Sequence, residues 1–191
     1  MFQIPSLSDL NMVLTLPALS VAVWACILLI VDLWVPKQRK EITAWLAAGG
    51  LVFAFVANLV LYNRPGTAFM GLFVADQFSG FLNIIILLSA FFGIMLSIDY
   101  LKRTGMERGE YYVLLLLTTS GMMFMAGAND LTIVFISLEL LSIPLYILSA
   151  FRLNDLKSEE AGIKYFILGA FSSAFFVFGA ALLYGATGTT H

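Results

Sequence analysis

The chain has 191 residues, of which 61% are hydrophobic and 12% are charged, and its formal net charge is −2. A soluble domain usually carries about 25% charged residues, and a mean hydropathy of +0.96 leaves a water-soluble monomer nowhere to place its apolar side chains. The composition therefore predicts a multi-pass membrane protein surrounded by a lipid bilayer. There is no basic stripe of the kind that binds nucleic acid, so a nucleic-acid partner is not expected.

Six apolar segments follow one another along the chain, each long enough for a helix to cross a hydrocarbon core of about 30 Å. A membrane-crossing strand needs only about ten alternating residues, and no period-two pattern is present, so the predicted fold class is all-α transmembrane. The longest connection, residues 63–77, contains Arg-Pro-Gly and predicts an ordered turn rather than a domain boundary. The predicted spans are residues 12–35, 42–62, 78–101, 111–128, 131–151 and 163–185.

The basic residues predict the orientation of these spans. Nine of the ten lysines and arginines lie in or beside the first, third and fifth connections, and Arg64 alone lies in another. The positive-inside rule therefore places these three connections in the cytoplasm and residues 1 and 191 on the outer side. The nine are Lys37, Arg39, Lys40, Lys102, Arg103, Arg108, Arg152, Lys157 and Lys164.

Soft metal ligands are nearly absent from the sequence. Cys26 is the one cysteine and His191 the one histidine, which excludes an internal disulfide and leaves no ligand set for zinc, haem or an iron–sulfur cluster. No nucleotide-binding loop or nucleophile elbow occurs. We therefore expect this chain to bind no metal and no cofactor, and nothing supports a soluble-enzyme function.

Glu139 is the most informative residue, because it lies near the middle of the fifth apolar segment. A charge at the centre of a membrane-spanning helix costs on the order of 3 kcal/mol on insertion scales. Such carboxylates usually face a partner, a cavity or an ion pathway, so Glu139 is the main candidate for proton or ion translocation. The alternative is a structural glutamate that hydrogen-bonds a neighbouring helix.

Two residues of the same segment support a site around Glu139. Ser142 shares its helix face at a spacing of i+3. Pro144 has no backbone N–H, so it frees the carbonyl of Leu140 in the preceding turn. A free carbonyl and a hydroxyl beside a carboxylate can hold water or a cation, including a lysine ammonium. We therefore expect this helix break to form part of the site.

Lys164 begins the sixth span and has two interpretations. It is either an interfacial lysine whose ammonium extends to the cytoplasmic headgroups or the second member of a buried charge chain. Position alone favours the interfacial lysine.

The other polar residues have structural interpretations. Asp32 and Asp99 lie near basic ends of their spans, where neighbouring lysines and arginines can neutralise them. Asp130 suits an N-terminal cap of the fifth helix, and Asn58 and Asn83 suit hydrogen bonds between helices. The small residues of span six predict a face for close helix contact; they are Gly169, Ala170, Ser173, Ala174, Gly179 and Ala180.

Three motifs, in this order, resemble a known family. Gly-Glu-Tyr-Tyr at residues 109–112 opens span four, Glu-Leu-Leu-Ser-Ile-Pro-Leu-Tyr-Ile-Leu-Ser-Ala-Phe at 139–151 follows in span five, and Glu-Ala-Gly-Ile-Lys-Tyr-Phe-Ile-Leu-Gly-Ala-Phe-Ser-Ser-Ala at 160–174 opens span six. The sequence is similar over its whole length to the subunit N family of antiporter-like membrane proteins in proton-pumping NADH–quinone oxidoreductase, respiratory complex I.

The resemblance implies a fold of about fourteen helices with two inverted repeats of about five helices each. Residues 1–108 would be three peripheral helices, and residues 109–191 would begin the first repeat and leave it incomplete. Glu139 matches the glutamate that pairs with a lysine on the family's seventh helix, and Lys164 matches the lysine at the start of its sixth. Since no seventh helix is present, the sequence is expected to be a piece of the subunit; the other possibility is a lysine from another polypeptide.

The resemblance implies proton translocation driven by quinone reduction elsewhere in the complex, in the inner membrane of a bacterial cell rather than of an organelle. The subunit would be a non-redox part of an enzyme complex, with NADH, flavin, iron–sulfur clusters and quinone bound by other subunits and other membrane subunits as its partners. The alternatives are a subunit of a multisubunit cation/proton antiporter or membrane-bound hydrogenase, a purely structural membrane subunit, and, with less support, a small self-associating channel.

Overall fold

The computed structural model describes residues 10–36 and 39–191. Six α-helices account for most of this part of the chain, which confirms the predicted all-α transmembrane fold. They are α1 Leu16–Asp32, α2 Glu41–Leu61, α3 Gln77–Thr104, α4 Glu110–Ala126, α5 Leu131–Ser149 and α6 Leu156–Thr187.

Within the described ranges, five of the six helices are long and apolar enough to cross a membrane when the 3-10 turn Met12–Thr15 is counted with α1, and α4 is the shorter exception. Its 17 residues extend about 25 Å at 1.5 Å per residue. It nevertheless lies at the centre of the bundle, where it packs most extensively on α5 and also contacts α1, α2 and α3. Leu116 and Met123 of α4 are fully buried, so this helix is the core around which the others assemble.

Small residues bring α1 and α2 close together. Ala25 of α1 and Ala44, Ala47 and Ala54 of α2 have no exposed surface. In a membrane, where lipid tails are as apolar as the side chains, such residues stabilise helix pairs by allowing closer backbone approach. The result is a compact α1–α2–α3–α4 group.

In contrast, α6 lies at the edge of the described bundle. It packs chiefly on α5, and its large apolar side chains, such as Ile163, Phe171 and Phe178, are exposed. Gly162, near its start, is its one buried residue. The surface of α6 that faces away from α5 is therefore available to lipid or to further protein.

The α2–α3 connection forms a small hairpin at the end of the bundle opposite the basic connections. Two three-residue strands, β1 Gly66–Ala68 and β2 Phe73–Ala75, pair antiparallel, and Val74 N–H donates to the carbonyl of Gly127 in the α4–α5 turn over 2.8 Å. The prediction of an ordered turn here is thus confirmed. Strands this short produce no detectable period-two pattern, which explains why the sequence did not reveal them.

The start of α6 differs from the predicted span. The helix begins at Leu156, seven residues before the predicted start at residue 163, and the Asp155 carboxylate caps it by accepting from Lys157 N–H over 3.0 Å. Hydropathy detects only the apolar part of a helix, and the first two turns of α6 are polar and exposed. Lys164 therefore lies inside the helix rather than at its opening. The other predicted ends differ from the observed ends by four residues or fewer.

Candidate functional site around Glu139

Glu139 lies near the middle of α5, and its side chain is half-buried against α6. The Ser173 hydroxyl of α6 donates a hydrogen bond to Glu139 Oε1 over 2.5 Å. Among the described residues, the ion pairs of the structure do not include Glu139. The carboxylate is therefore held by one neutral donor and faces a neighbouring helix.

The helix that carries Glu139 is positioned from its capped end. The Asp130 carboxylate accepts from Thr132 N–H over 2.7 Å, as the predicted N-terminal cap of α5 requires. The Thr190 hydroxyl, which follows α6, donates to the other oxygen of Asp130 over 2.5 Å. Asp130 thus joins the start of α5 to the segment that follows α6. The two helices around Glu139 are therefore fixed to each other at the end of the bundle that carries the β1–β2 hairpin.

Pro144, which the sequence predicts to break the helix beside Glu139, lies five residues after it in an α5 that is helical throughout Leu131–Ser149. Pro144 is a buried residue inside α5. Opposite the turn before it, Gly121 of α4 approaches the α5 backbone so closely that a β-carbon at this position would lie 2.5 Å from Leu141 N. The Thr118 hydroxyl of α4 donates to the Leu141 carbonyl over 3.4 Å. The backbone around the proline is therefore covered by α4.

Ser142 has a local partner. Its hydroxyl donates to the Leu138 carbonyl, one turn earlier in α5, over 2.6 Å. Ser142 therefore bonds to the backbone of its own helix, and Ser173 supplies the hydroxyl that contacts Glu139.

Lys164 lies at a distance from Glu139. Its side chain is 69% exposed and forms an ion pair with Glu160, one turn earlier on α6. Lys164 precedes Ser173, the partner of Glu139, by nine residues, or about 13 Å along a helix. The structure therefore brings Glu139 together with Ser173 and does not bring it together with Lys164.

Ser173, Thr118 and Gly121 are the site residues that sequence reasoning missed. The small residues of span six predicted a contact face, and Ser173 belongs to that face, but its sequence position does not reveal which side chain it meets. Thr118 and Gly121 are ordinary residues of an apolar helix until the approach of α5 is known.

An open groove runs along α6 beside the site. It has a volume of about 560 Å³ and includes Phe135 of α5 and Ser173, Ala174 and Val177 of α6 among its lining residues. Its lining is apolar except for the Ser173 hydroxyl, which is bonded to Glu139. Ser173 thus lies between Glu139 and a groove that further protein could cover.

Other predicted contacts are also present. Asn58 Nδ2 donates to the Gly80 carbonyl over 3.0 Å and Asn83 Nδ2 to Asn58 Oδ1 over 3.3 Å, which confirms that both asparagines join helices. Asp99 pairs with Arg103 over 3.1 Å. Within residues 10–36 and 39–191, no group of three or more histidine, cysteine, aspartate or glutamate side chains is placed to hold a metal ion.

Comparison with known proteins identifies the relatives of this arrangement. A family model described as NADH:quinone oxidoreductase/Mrp antiporter, TM, matches residues 128–191, which include Glu139, Pro144, Lys164 and Ser173. NADH-quinone oxidoreductase subunit N of Chloroflexus aggregans is 47% identical over 175 residues, which cover 91% of this chain and 36% of the relative. The same subunit of Trichlorobacter lovleyi is 42% identical over 181 residues, or 95% of this chain and 37% of the relative.

Solved structures agree with these relatives. A chain of respiratory complex I from Thermus thermophilus, solved with bound aureothin, has a TM-score of 0.75 and 30% identity, over 91% of this chain and 38% of that chain. A chain of an archaeal membrane-bound sulfane sulfur reductase has a TM-score of 0.74 over 94% of this chain and 38% of that chain, and at 23% identity it shows the shared fold alone.

The chain spans a little over one third of the length of the curated relatives that it matches. Over that third, the sequence identity and the helix arrangement agree, and the family model agrees with both over residues 128–191. The chain belongs to the family of antiporter-like membrane subunits that includes subunit N of NADH-quinone oxidoreductases.

Proposed function

We propose that this chain is part of a proton-translocating subunit of an NADH–quinone oxidoreductase, and that Glu139 is a proton-carrying group of that subunit. The observation that carries the proposal is a half-buried carboxylate in an apolar helix that contains a proline, held by the Ser173 hydroxyl and, among the described residues, by no cation. The relatives' names and the family model support the choice of complex.

Two protonation states fit this geometry. When Glu139 is charged, the Ser173 hydroxyl donates a hydrogen bond to it. When Glu139 is neutral, its own O–H can donate to Ser173 Oγ, because a hydroxyl both donates and accepts. The pair therefore stays connected while a proton is gained or lost.

The driving event would be the approach and withdrawal of a lysine ammonium on a segment outside these 191 residues. A nearby positive charge favours the carboxylate, and an apolar surrounding without that charge favours the neutral acid. In this proposal residues 109–191 begin the transporting repeat, and residues 1–108 are peripheral helices that support it. The residues that the family model matches, 128–191, all lie within the second of these two parts.

Electron transfer is assigned to other subunits. We propose that this subunit is a non-redox component, that NADH, flavin, iron–sulfur clusters and quinone are bound elsewhere in the complex, and that its direct partners are other membrane subunits. We also propose a bacterial inner membrane as its location. The relatives from Chloroflexus and Trichlorobacter support that choice.

The test is Glu139→Gln in the full-length subunit within the assembled complex. We expect the number of protons pumped per electron to fall while the complex still assembles, with a milder fall for Glu139→Asp. Glu159→Gln is the matched control, since it makes the same chemical change at an exposed position of α6. An unchanged proton-to-electron ratio in Glu139→Gln would instead assign Glu139 a structural role between α5 and α6.

A sodium/proton antiporter subunit is the second candidate, because the description of the matching family model includes the Mrp antiporter. In that case sodium would stimulate proton movement in proteoliposomes without NADH or quinone. The proposed complex requires both substrates for the same movement.

A further inference from the structure

A buried ion pair lies at the basic end of α1, far from Glu139. Asp32 is the last residue of α1, and its side chain is 8% exposed, while that of Lys40 is 12% exposed. Asp32 Oδ2 lies 2.6 Å from Lys40 Nζ, and Asp32 Oδ1 accepts from the Thr43 hydroxyl of α2 over 2.6 Å. Both carboxylate oxygens are therefore engaged, so Asp32 is more than the locally neutralised interfacial residue that the sequence predicts.

Lys40 also secures the end of α1 through the backbone. Its ammonium donates to the Asp32 carbonyl over 3.1 Å, and that carbonyl, one of the last of α1, also accepts from Val35 N–H over 3.2 Å. A cation at this end is also favoured by the helix dipole. Lys40 thus joins the end of α1 to the start of α2 by two contacts.

The same carboxylate supports the start of α4. A β-carbon built on Gly109 would lie 1.9 Å from Asp32 Oδ1, so the backbone at position 109 rests directly on the carboxylate. Any larger residue would displace α4 or Asp32. This contact explains the glycine of the Gly-Glu-Tyr-Tyr motif at 109–112, and a negative charge beside the first turn of α4 is favoured by the helix dipole.

The position of α4 matters because α4 contacts the helix that carries Glu139. Along α4, the Ser120 hydroxyl donates to the Ala18 carbonyl of α1 over 2.9 Å, and the adjacent Gly121 packs against the α5 backbone at Leu140 and Leu141. A helix of 17 residues moves largely as one body. A shift at Gly109 is therefore transmitted to the part of α5 beside Glu139.

We propose that Asp32 and Lys40 are positioning residues for proton translocation. Their ion pair holds the Asp32 carboxylate against the backbone of Gly109 and so fixes the start of α4. The position of α4 in turn determines the position of α5 at Glu139. This proposal rests on the function proposed for Glu139. Neither residue is proposed to carry the proton.

The test uses Asp32→Asn, Lys40→Met and the double variant in the full-length subunit within the assembled complex. We expect each single variant to lower the proton-to-electron ratio at an unchanged rate of NADH oxidation per complex, since each leaves one charge of the Lys40–Asp32 pair without its partner. The double variant is expected to pump better than either single variant, because neither charge is left without a partner. Lys40→Arg, which keeps the positive charge, is expected to retain most of the unchanged proton-to-electron ratio. The exposed pair Asp99→Asn and Arg103→Met is the matched control and is expected to change nothing.

Gly109→Ala is a second variant that leaves the ion pair chemically intact. Bringing its β-carbon from 1.9 Å to ordinary contact with Asp32 requires a shift of about 1.5 Å, which a high-resolution map of the complex would reveal at the start of α4. We expect this shift together with a lower proton-to-electron ratio.

The outcomes separate the two proposals. If Glu139→Gln has no effect on pumping but Asp32→Asn displaces α4, the result supports the proposal that Asp32 positions α4 and refutes the proposal that Glu139 carries protons. If Asp32→Asn and Lys40→Met leave both α4 and the proton-to-electron ratio unchanged, the positioning proposal fails. It fails equally if they lower only the amount of complex, because a purely structural pair reduces NADH oxidation and pumping together.

Discussion

Gly121→Ala tests whether the α4–α5 contact is as close as the structure shows. A β-carbon at residue 121 would lie 2.5 Å from Leu141 N and 2.9 Å from the carbonyl carbon of Leu140, and both are backbone atoms. No rotamer change can relieve such a contact. Because ordinary contact begins near 3.4 Å, the two helices must separate by about 0.9 Å.

The expected energetic effect follows from two opposing contributions. Overpacking of a well-packed contact costs about 1–3 kcal/mol. Alanine is favoured over glycine in a helix by about 0.8–1.0 kcal/mol, so the net expectation is a destabilisation of up to about 2 kcal/mol. Gly49→Ala, in α2, is the matched control, since among the described residues no atom lies within 4 Å of its β-carbon position. It is expected to be neutral or slightly stabilising.

The assay compares three forms of the full-length subunit in the purified complex: unchanged, Gly121→Ala and Gly49→Ala. Thermal dissociation of the membrane subunits is followed on native gels, and the α4–α5 separation is measured in a high-resolution map. Gly121→Ala is expected to dissociate at a lower temperature and to show the wider separation. Identical behaviour of the two alanine variants would refute the close approach beside Pro144.

Two further predictions concern a hydroxyl and a carboxylate. Ser173→Ala removes the hydrogen bond to Glu139 and is expected to lower the proton-to-electron ratio less than Glu139→Gln does; Ser172→Ala, whose hydroxyl bonds its own helix at Leu168, is expected to be silent. Asp76 caps α3, and the Ser79 backbone N–H lowers the pKa of its carboxyl. Its stabilisation is therefore present above the ordinary aspartate pKa of about 3.9 and is lost as the pH falls through the lower folded value. Asp76→Ala is expected to cost about 1 kcal/mol at neutral pH. Asp76→Asn, which can still cap, is expected to cost less and to remove the acid sensitivity in thermal unfolding measured between pH 7 and pH 3.

The sequence predicted the helices well because apolar length is a local property. Each of the six segments contains enough consecutive apolar residues to identify a helix without knowledge of its neighbours. The start of α6 was missed because its first turns, with Lys157 and Glu160, are polar, and in such turns a cap such as Asp155 marks the boundary better than hydropathy does.

The site was predictable only in part, because its contacts join distant positions. Glu139 is easily recognised as a carboxylate in an apolar helix. The effect of Pro144 on the helix hydrogen bonds is also predictable, because proline lacks a backbone N–H. Ser173 lies 34 positions from Glu139, and only the packing of α6 on α5 brings the two together. The same holds for Gly109, whose role depends on Asp32, 77 positions earlier in the chain.

The magnitudes at Glu139 explain why such a site suits a change of protonation. A charged side chain at the centre of a spanning helix costs about 2.5–3.5 kcal/mol on insertion scales. One hydrogen bond to a charged group contributes about 1.5–3 kcal/mol. The Ser173 hydroxyl therefore offsets part of the cost of placing a charge at this position. In the proposed mechanism, a cation that approached from the open side of α6 would add a contribution large enough to favour the charged form of Glu139, and its withdrawal would remove that contribution.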